Sequence, residues 1–311
     1  MKAVILETYG GKEQLKLRDV PNPVAKGNEV LIEMHATSIN PIDWKIRDGN
    51  LKEFMPFTFP LILGWDAAGV VIKVGENVSS FKPGDRVFAR PNTTSNGTYA
   101  EYITVSEDLV VKIPENIRFD EAASVPLAGE TAWQCLVDIG KIKSGDHVLI
   151  HAGAGGVGSL AIQIAKSFGA YVTTTGSIKN EVLLKSLGAD KVINYEKVDF
   201  EKELKNYDLV FDTLGDDIQE KSFKVLRKGG TLVSIVQTPS NEKAKKYGVN
   251  AVFHMLKPNG QDLQKLANLM AKGKLKAVIG KTFEFNEAGL QNAHALSESH
   301  HAKGKIIIKI K

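Results

Sequence analysis

A single cysteine in 311 residues, Cys135, rules out an internal disulfide, so stability must come from packing and the lone thiol suits a reducing compartment. No run of eighteen apolar residues exists, which excludes a membrane-spanning helix of ordinary length. The opening MKAVILETYGGKE soon turns polar and carries no cleavage-site pattern, so a cytoplasmic location is expected. Charge of one sign is scarce too: 40 lysines and arginines face 36 aspartates and glutamates, a net +4. The lysines are scattered rather than gathered into a stripe, so neither DNA nor RNA is called for by charge. Low-complexity segments are missing, and the similar pair FKPGDRV at Phe81 and IKSGDHV at Ile142 is one turn chemistry used twice. What is left, 43% hydrophobic and 24% charged, is the composition of a globular chain long enough for two domains.

Glycine is plentiful and clusters in one place. His147 to Gly158, HVLIHAGAGGVG, is an apolar strand running into a glycine-rich turn that opens a helix at Val157. Gly153, Gly155 and Gly158 fit G-x-G-x-x-G, whose glycines permit a tight turn, close approach of a pyrophosphate to backbone, and close helix-to-strand packing. The helix N-terminus adds unpaired N–H groups and positive dipole. Ala152, Gly153, Ala154, Gly155, Gly156, Val157 and Gly158 are therefore the candidate phosphate-binding residues.

Alternation of helix and strand continues from there. Val157, Leu160, Ala161, Ile164, Ala165 and Phe168 share one helical face, and Gly169 ends it. Strands follow at Tyr171–Thr175, Lys191–Tyr195, Asp208–Thr213 and Thr231–Val236, with helices expected from Asn180 to Leu187 and up to Arg227. The charged stretch Glu196–Asp208 is expected to solvate a helix face. This pattern predicts a doubly wound parallel sheet. Past its second strand, where NAD enzymes keep a carboxylate for the ribose, stand Thr174, Thr175, Gly176, Ser177, Ile178 and Lys179. Ser177 and Lys179 would welcome a 2′-phosphate, and Tyr195 adds a hydroxyl, so NADPH is the expected cofactor.

The N-terminal half reads as short strands at Ala3–Glu7, Leu15–Val20, Glu29–Ile39, Ala67–Gly75, Arg86–Ala89, Tyr99–Ser106 and Val110–Ile113. A partly closed antiparallel barrel removes their edges, and Lys305–Ile310 is a β-rich tail able to return to it.

Ordered motifs along nearly the whole chain carry a family resemblance: ATSINPIDWKIRDG from Ala36, LILGWDAAGVVIKVG from Leu61, GTYAEY from Gly97, EAASVPLAGETAW from Glu121, HAGAGGVG from His151, LGADKVINY from Leu187 and HAKGKIII from His301. In these the chain resembles the medium-chain dehydrogenase/reductase superfamily, in its zinc-free NADPH:quinone oxidoreductase, zeta-crystallin-like branch. The resemblance implies an α/β architecture: a Rossmann nucleotide domain at 118–270 and a β-rich, GroES-like, partly closed barrel domain at 1–117, to which 271–311 returns. Zinc alcohol dehydrogenases of the superfamily carry a Cys where Asn40 to Asp43 lies and Gly-His-Glu where Gly64-Trp65-Asp66 stands. Those ligands are missing, and Asp43, Asp66, His35 and His151 read better as local hydrogen-bonding groups, so no metal is expected.

Without a metal, hydride needs an acceptor that is already electrophilic, a quinone or an enone or 2-alkenal. By the resemblance, Asn40 orients substrate or nicotinamide, and Lys45 polarises a carbonyl or relays a proton unless it is a plain surface lysine. Trp65 is an aromatic pocket wall or a core residue. Thr131 is implied near the nicotinamide, Leu214, Ser234 and Ile235 at the strand ends where ligands collect, and Lys303 or Lys305 on the cofactor from the tail. Two other readings stay open: an NADPH-binding accessory or RNA-binding crystallin-like protein with little catalysis, and an enoyl-thioester reductase. A homodimer joined edge to edge through Thr231–Thr238 is the assembly the resemblance suggests.

Overall fold

Short apolar runs, some alternating and some buried on both faces, produce sixteen strands in a computed structural model that describes residues 1–311. The first eight are β1 (Lys2–Leu6), β2 (Lys16–Asp19), β3 (Glu29–Ile39), β4 (Leu61–Ile62), β5 (Ala67–Val74), β6 (Arg86–Ala89), β7 (Tyr102–Ser106) and β8 (Val110–Lys112). Next come β9 (His147–Ile150), β10 (Tyr171–Gly176), β11 (Lys191–Asn194), β12 (Tyr207–Asp212), β13 (Leu226–Ser234) and β14 (Asn250–Phe253). The last two are β15 (Ile279–Glu284) and β16 (Lys305–Lys309). Two units result: unit 1 takes Met1–Ala128, Pro258–Gly273 and Ala277–Lys311, and unit 2 takes Gly129–Lys257 and Lys274–Lys276.

These limits differ from the expected 1–117, 118–270 and 271–311 for local reasons. Phe119 stacks on His35 with ring centroids 4.1 Å apart and lies under Arg86 at 4.8 Å, which keeps the helix Phe119–Ala123 with unit 1. The helix Gly260–Ala271 starts hard against β8's approach: a Cβ on Gly260 would stand 2.0 Å from the Asp108 carbonyl oxygen.

β3 organises unit 1. Val30, Ile32 and Met34 point from one of its faces into a core with Val71, Val87 and Val105. One edge bonds β5; the other bonds β7 along Glu29–Glu33 and β16 along Ala36–Ile39. The C-terminal tail thus returns as expected. Register shifts at Leu31/Ile32 and Met34/Ala36 bulge the strand, and bulges bend and twist a sheet toward closure. A second core gathers Leu6, Ile46, Leu61, Trp65, Leu290 and Ile308.

Unit 2 is a six-stranded sheet in the order β11-β10-β9-β12-β13-β14, every pair parallel. Order reverses between β9 and β12, and ligands of doubly wound sheets collect at the carboxyl ends beside such a switch. The glycine-rich turn leaves β9 at that point and opens the helix Gly156–Ser167. Three expectations need correction. The helix expected to reach Arg227 stops at Ser222, because Phe223 and Val225 turn into the core and β13 begins at Leu226. The charged stretch before Asp208 is helical only at Phe200–Glu203. Thr231–Thr238 offers no free edge, since β14 pairs along β13 from Thr231 to Ser234.

Candidate functional site

Gly153, Gly155 and Gly158 divide into two kinds by what a side chain would meet there. A Cβ at Gly153 would lie 2.0 Å from Thr174 Oγ1, and one at Gly158 would lie 2.4 Å from the Ala152 carbonyl oxygen and 2.8 Å from Gly153 Cα. Both positions are closed by packing of helix on strand. At Gly155 an added Cβ meets only the Ala152 oxygen, at 3.3 Å, so this is the face of the turn left open to a ligand. The left-handed residue is not a glycine: Ala152 has φ +50°, a conformation costing about 1–3 kcal/mol that the surroundings must enforce. No side chain caps the helix Gly156–Ser167 and no acid stands in its first turn, so the N–H groups of Gly156, Val157 and Gly158 can donate to an anion. Ala154 to Val157 are partly open to solvent. The turn fits a pyrophosphate.

At the end of β10, Ser177 is half-buried and Lys179 exposed, and Tyr195 after β11 is exposed. Neither carboxylate nor ion pair engages Lys179, so its charge stays available for a phosphate. Thr131 is buried on the helix Pro126–Trp133. Beyond β12, Leu214 is exposed and Ile235 half-buried. Ser234 departs from expectation: its hydroxyl is buried and donates to Asp212 Oδ2 at 2.8 Å. Asp212 in turn accepts from the Leu214 and Gly215 amides at 3.0 and 2.9 Å and from Gln219 at 3.0 Å. Ser234 therefore braces the loop after β12 instead of facing a ligand.

In unit 1 the three expected catalytic residues separate. Asn40 ends β3 and begins the helix Pro41–Arg47, and its amide is held at both ends. Its Nδ2 donates to Asp66 Oδ2 at 2.7 Å, its Oδ1 accepts from Lys305 Nζ at 2.5 Å, and its backbone N–H donates to Asp43 Oδ2 at 2.8 Å. Asp66 also accepts from Ser38 Oγ at 2.5 Å and from the Leu127 amide at 2.7 Å, with Lys305 Nζ at 3.4 Å. Lys305 is thus spent inside the fold and is no cofactor ligand, while Lys303 is exposed beside it. Lys45 lies half-buried one turn into the helix, its ammonium 5.7 Å from the Trp44 ring and in no ion pair. Trp65 is no pocket wall: it is wholly buried, with Phe57 stacked at 6.3 Å.

A second buried chain runs beside this one. Arg47 donates to His294 Nδ1 at 3.1 Å, His294 Nε2 meets the Tyr99 hydroxyl at 3.1 Å, and that hydroxyl donates to Asp43 Oδ2 at 2.7 Å. Burial, with Arg47 adding to it, pushes His294 down to about 3 and keeps it neutral. Burial lifts Asp43 to about 7, against the pull of the Asn40 amide and Tyr99. Lys305, Ser38, Tyr99 and His294 were not readable as partners, since their spacing in sequence exceeds any local motif. The sequence signal was indirect: lysines bracket the apolar core of the terminal strand KIIIK, and the one that is buried, Lys305, needs a counter-charge.

Residues 26–115 match the family described as alcohol dehydrogenase GroES-like domain, and residues 187–308 the family described as zinc-binding dehydrogenase. The 2-methylene-furan-3-one reductase of Solanum lycopersicum is 39% identical, covering 99% of this chain and 79% of that protein. The NADPH-dependent alkenal/one oxidoreductase, chloroplastic, of Arabidopsis thaliana is 37% identical over the same shares, 99% and 79%. The Escherichia coli quinone oxidoreductase, solved as a complex with NADPH, superposes with a TM-score of 0.89 at 29% identity and covers 100% of both chains. By these relatives the chain belongs to the medium-chain dehydrogenase/reductase superfamily, in its zinc-free quinone oxidoreductase-like branch, and is an NADPH-dependent oxidoreductase.

Proposed function

We propose that the chain reduces α,β-unsaturated carbonyls or quinones at the expense of NADPH and without a metal. The observation that carries this reading is the buried Asn40–Asp66–Lys305 cluster, two members of which, Asn40 and Asp66, lie in the stretches where, by the resemblance, metal-dependent members keep their ligands. Zinc does not fit there. Asn40 and Trp65 supply no ligand, the Asp66 carboxylate is already taken by Ser38, Asn40 and Leu127, and the Lys305 ammonium would repel a dication. Alcohol oxidation, which relies on metal to acidify a hydroxyl, has no support in this donor set, whereas an enone or quinone needs no such activation.

NADPH, when bound, supplies the hydride. Gly155 and the first turn of Gly156–Ser167 would hold its pyrophosphate, Ser177, Lys179 and Tyr195 its 2′-phosphate, and Thr131, Leu214 and Ile235 would contact the remainder. As the β-carbon is reduced, negative charge grows on the acceptor oxygen. Lys45 is the cation of its helix that no carboxylate occupies, and it takes the role of stabilising that oxygen. Asn40 positions the helix carrying Lys45 rather than touching substrate. The relatives named as alkenal/one and furanone reductases favour the enone. A cytosolic setting is part of the same reading, because a chain with one cysteine has no internal disulfide to call for an oxidising compartment.

The test is an acceptor panel of 2-alkenals, cyclic enones, quinones and an enoyl-CoA, each with NADPH or NADH in the presence of a chelator, following cofactor absorbance and product. Turnover of enone or quinone with a strong NADPH preference is expected. A requirement for added zinc, or turnover of the thioester alone, would refute the proposal. NADPH binding with no turnover of any acceptor would point to the accessory protein instead.

A further inference from the structure

We infer that Thr175 and His151 are positioning residues for the phosphate turn, joined in a one-way hydrogen-bond chain that holds the Ala152 amide and so sets the turn's shape. The inference rests on the turn being the pyrophosphate site of NADPH. Its starting point is a hydroxyl with one proton. Ser222 Oγ spends that proton on the Ile218 carbonyl at 2.7 Å, so its contact with His151 Nε2 at 3.0 Å requires the imidazole to donate. Nδ1 is then bare and accepts. The Thr175 hydroxyl, 3.3 Å away, donates to it, and the Thr175 oxygen is left to accept the Ala152 N–H at 3.1 Å.

Every link has one permitted direction, and the chain ends on the residue with left-handed backbone. Thr175 takes the next amide as well, its carbonyl accepting from Gly153 N–H at 3.0 Å, while the Ala152 carbonyl receives Gly155 N–H at 3.0 Å. Two consecutive amides are thereby turned away from the ligand face and tied to β10. The amides of the helix's first turn are the ones left outward. His151 is wholly buried, and its carbonyl is held by Thr213 Oγ1 at 3.1 Å, so it cannot drift from this line. Burial depresses the imidazole to about 4 against the attraction of Asp212, which keeps it neutral and the chain pointing one way.

Thr175→Val keeps the shape of the side chain and removes the hydroxyl; Thr175→Ser keeps the hydroxyl. Binding is read by titrating NADPH fluorescence, alongside KM, kcat and Tm, with 2′-AMP as a probe that carries the ribose phosphate and no pyrophosphate. The Val variant is expected to lose roughly tenfold in NADPH affinity, the loss falling on KM more than on kcat at saturation, with 2′-AMP inhibition little changed and Ser restoring affinity. Adding His151→Phe to the Val variant is expected to cost less than the sum of the two single changes, because both break one chain. The inference is overturned if Thr175→Val binds NADPH as the wild type does, or if Thr175→Ser is as impaired as Val. Should the wild type itself bind no NADPH, the reading of the turn as a pyrophosphate site fails first, and that result is separate from either outcome in the variants.

Discussion

Lys305 is a lysine almost without water, 4% exposed, its ammonium shared among the Ile39 carbonyl at 3.2 Å, Asn40 Oδ1 at 2.5 Å and Asp66 Oδ2 at 3.4 Å. Those contacts tie the last strand of the chain to the end of β3 and to the residue after Trp65. Desolvating a charge pair offsets much of its attraction, so the pair adds little net stability, yet removing one partner strands the other. Lys305→Met should therefore cost about 3–5 kcal/mol, and adding Asp66→Asn should recover part of that. Urea unfolding of the two variants checks this. Equal loss in the single and double variants would mean that Lys305 contributes packing alone.

At the scale of elements, strand plus glycine turn plus helix was legible because all of its causes are local. The spacing of Gly153, Gly155 and Gly158 separates what a ligand needs from what packing needs, and the structure divides them the same way. Gly158→Ala forces a methyl against backbone at Ala152 and Gly153, so a drop in Tm is expected. Gly155→Ala meets a single oxygen at 3.3 Å and its φ of −77° suits any residue; Tm should hold while KM for NADPH rises several-fold. The reverse pattern, measured by calorimetry and initial rates, would reassign the two glycines. Other elements were not legible, for a physical reason. Whether Ser234 faces a ligand or Asp212, whether Trp65 lines a pocket or fills a core, and whether Thr231–Thr238 is an edge depend on which distant strand arrives alongside. Periodicity in the strand itself carries no record of that. The helix expected to reach Arg227 failed differently: Phe223 and Val225 continue an apolar pattern, but they serve the sheet's approach rather than a further turn of helix.

At the scale of the whole molecule, both units bury a histidine in its neutral form, and that makes the fold acid-sensitive. His151 in unit 2 sits at about 4 and His294 in unit 1 at about 3, both pushed down by burial from an ordinary 6.5. Below 6.5 the unfolded chain binds these two protons and the folded chain refuses them, so stability falls as pH falls through that window. Asp43 works in the opposite sense: raised from 3.8 to about 7, it keeps a proton in the folded state that the unfolded chain releases, and its contribution is lost as pH rises through the same range. The two fully buried histidines outweigh the one carboxyl, and His35 and His254, also lowered by burial, act in the same sense, so the unfolded chain binds the excess of protons between about pH 6 and pH 4 and stability falls with pH across that window. Paired carboxylates such as Asp190, held low by Lys166 and the Val172 amide against the cost of burial, extend the loss below that window. Tm is thus expected to fall steadily from pH 6.5 to pH 4. In His294→Gln, whose amide can accept from Arg47 and donate to Tyr99 without titrating, the slope should become shallower, because one proton fewer is taken up on unfolding. An unchanged slope in that variant would show that His294 does not govern the acid response.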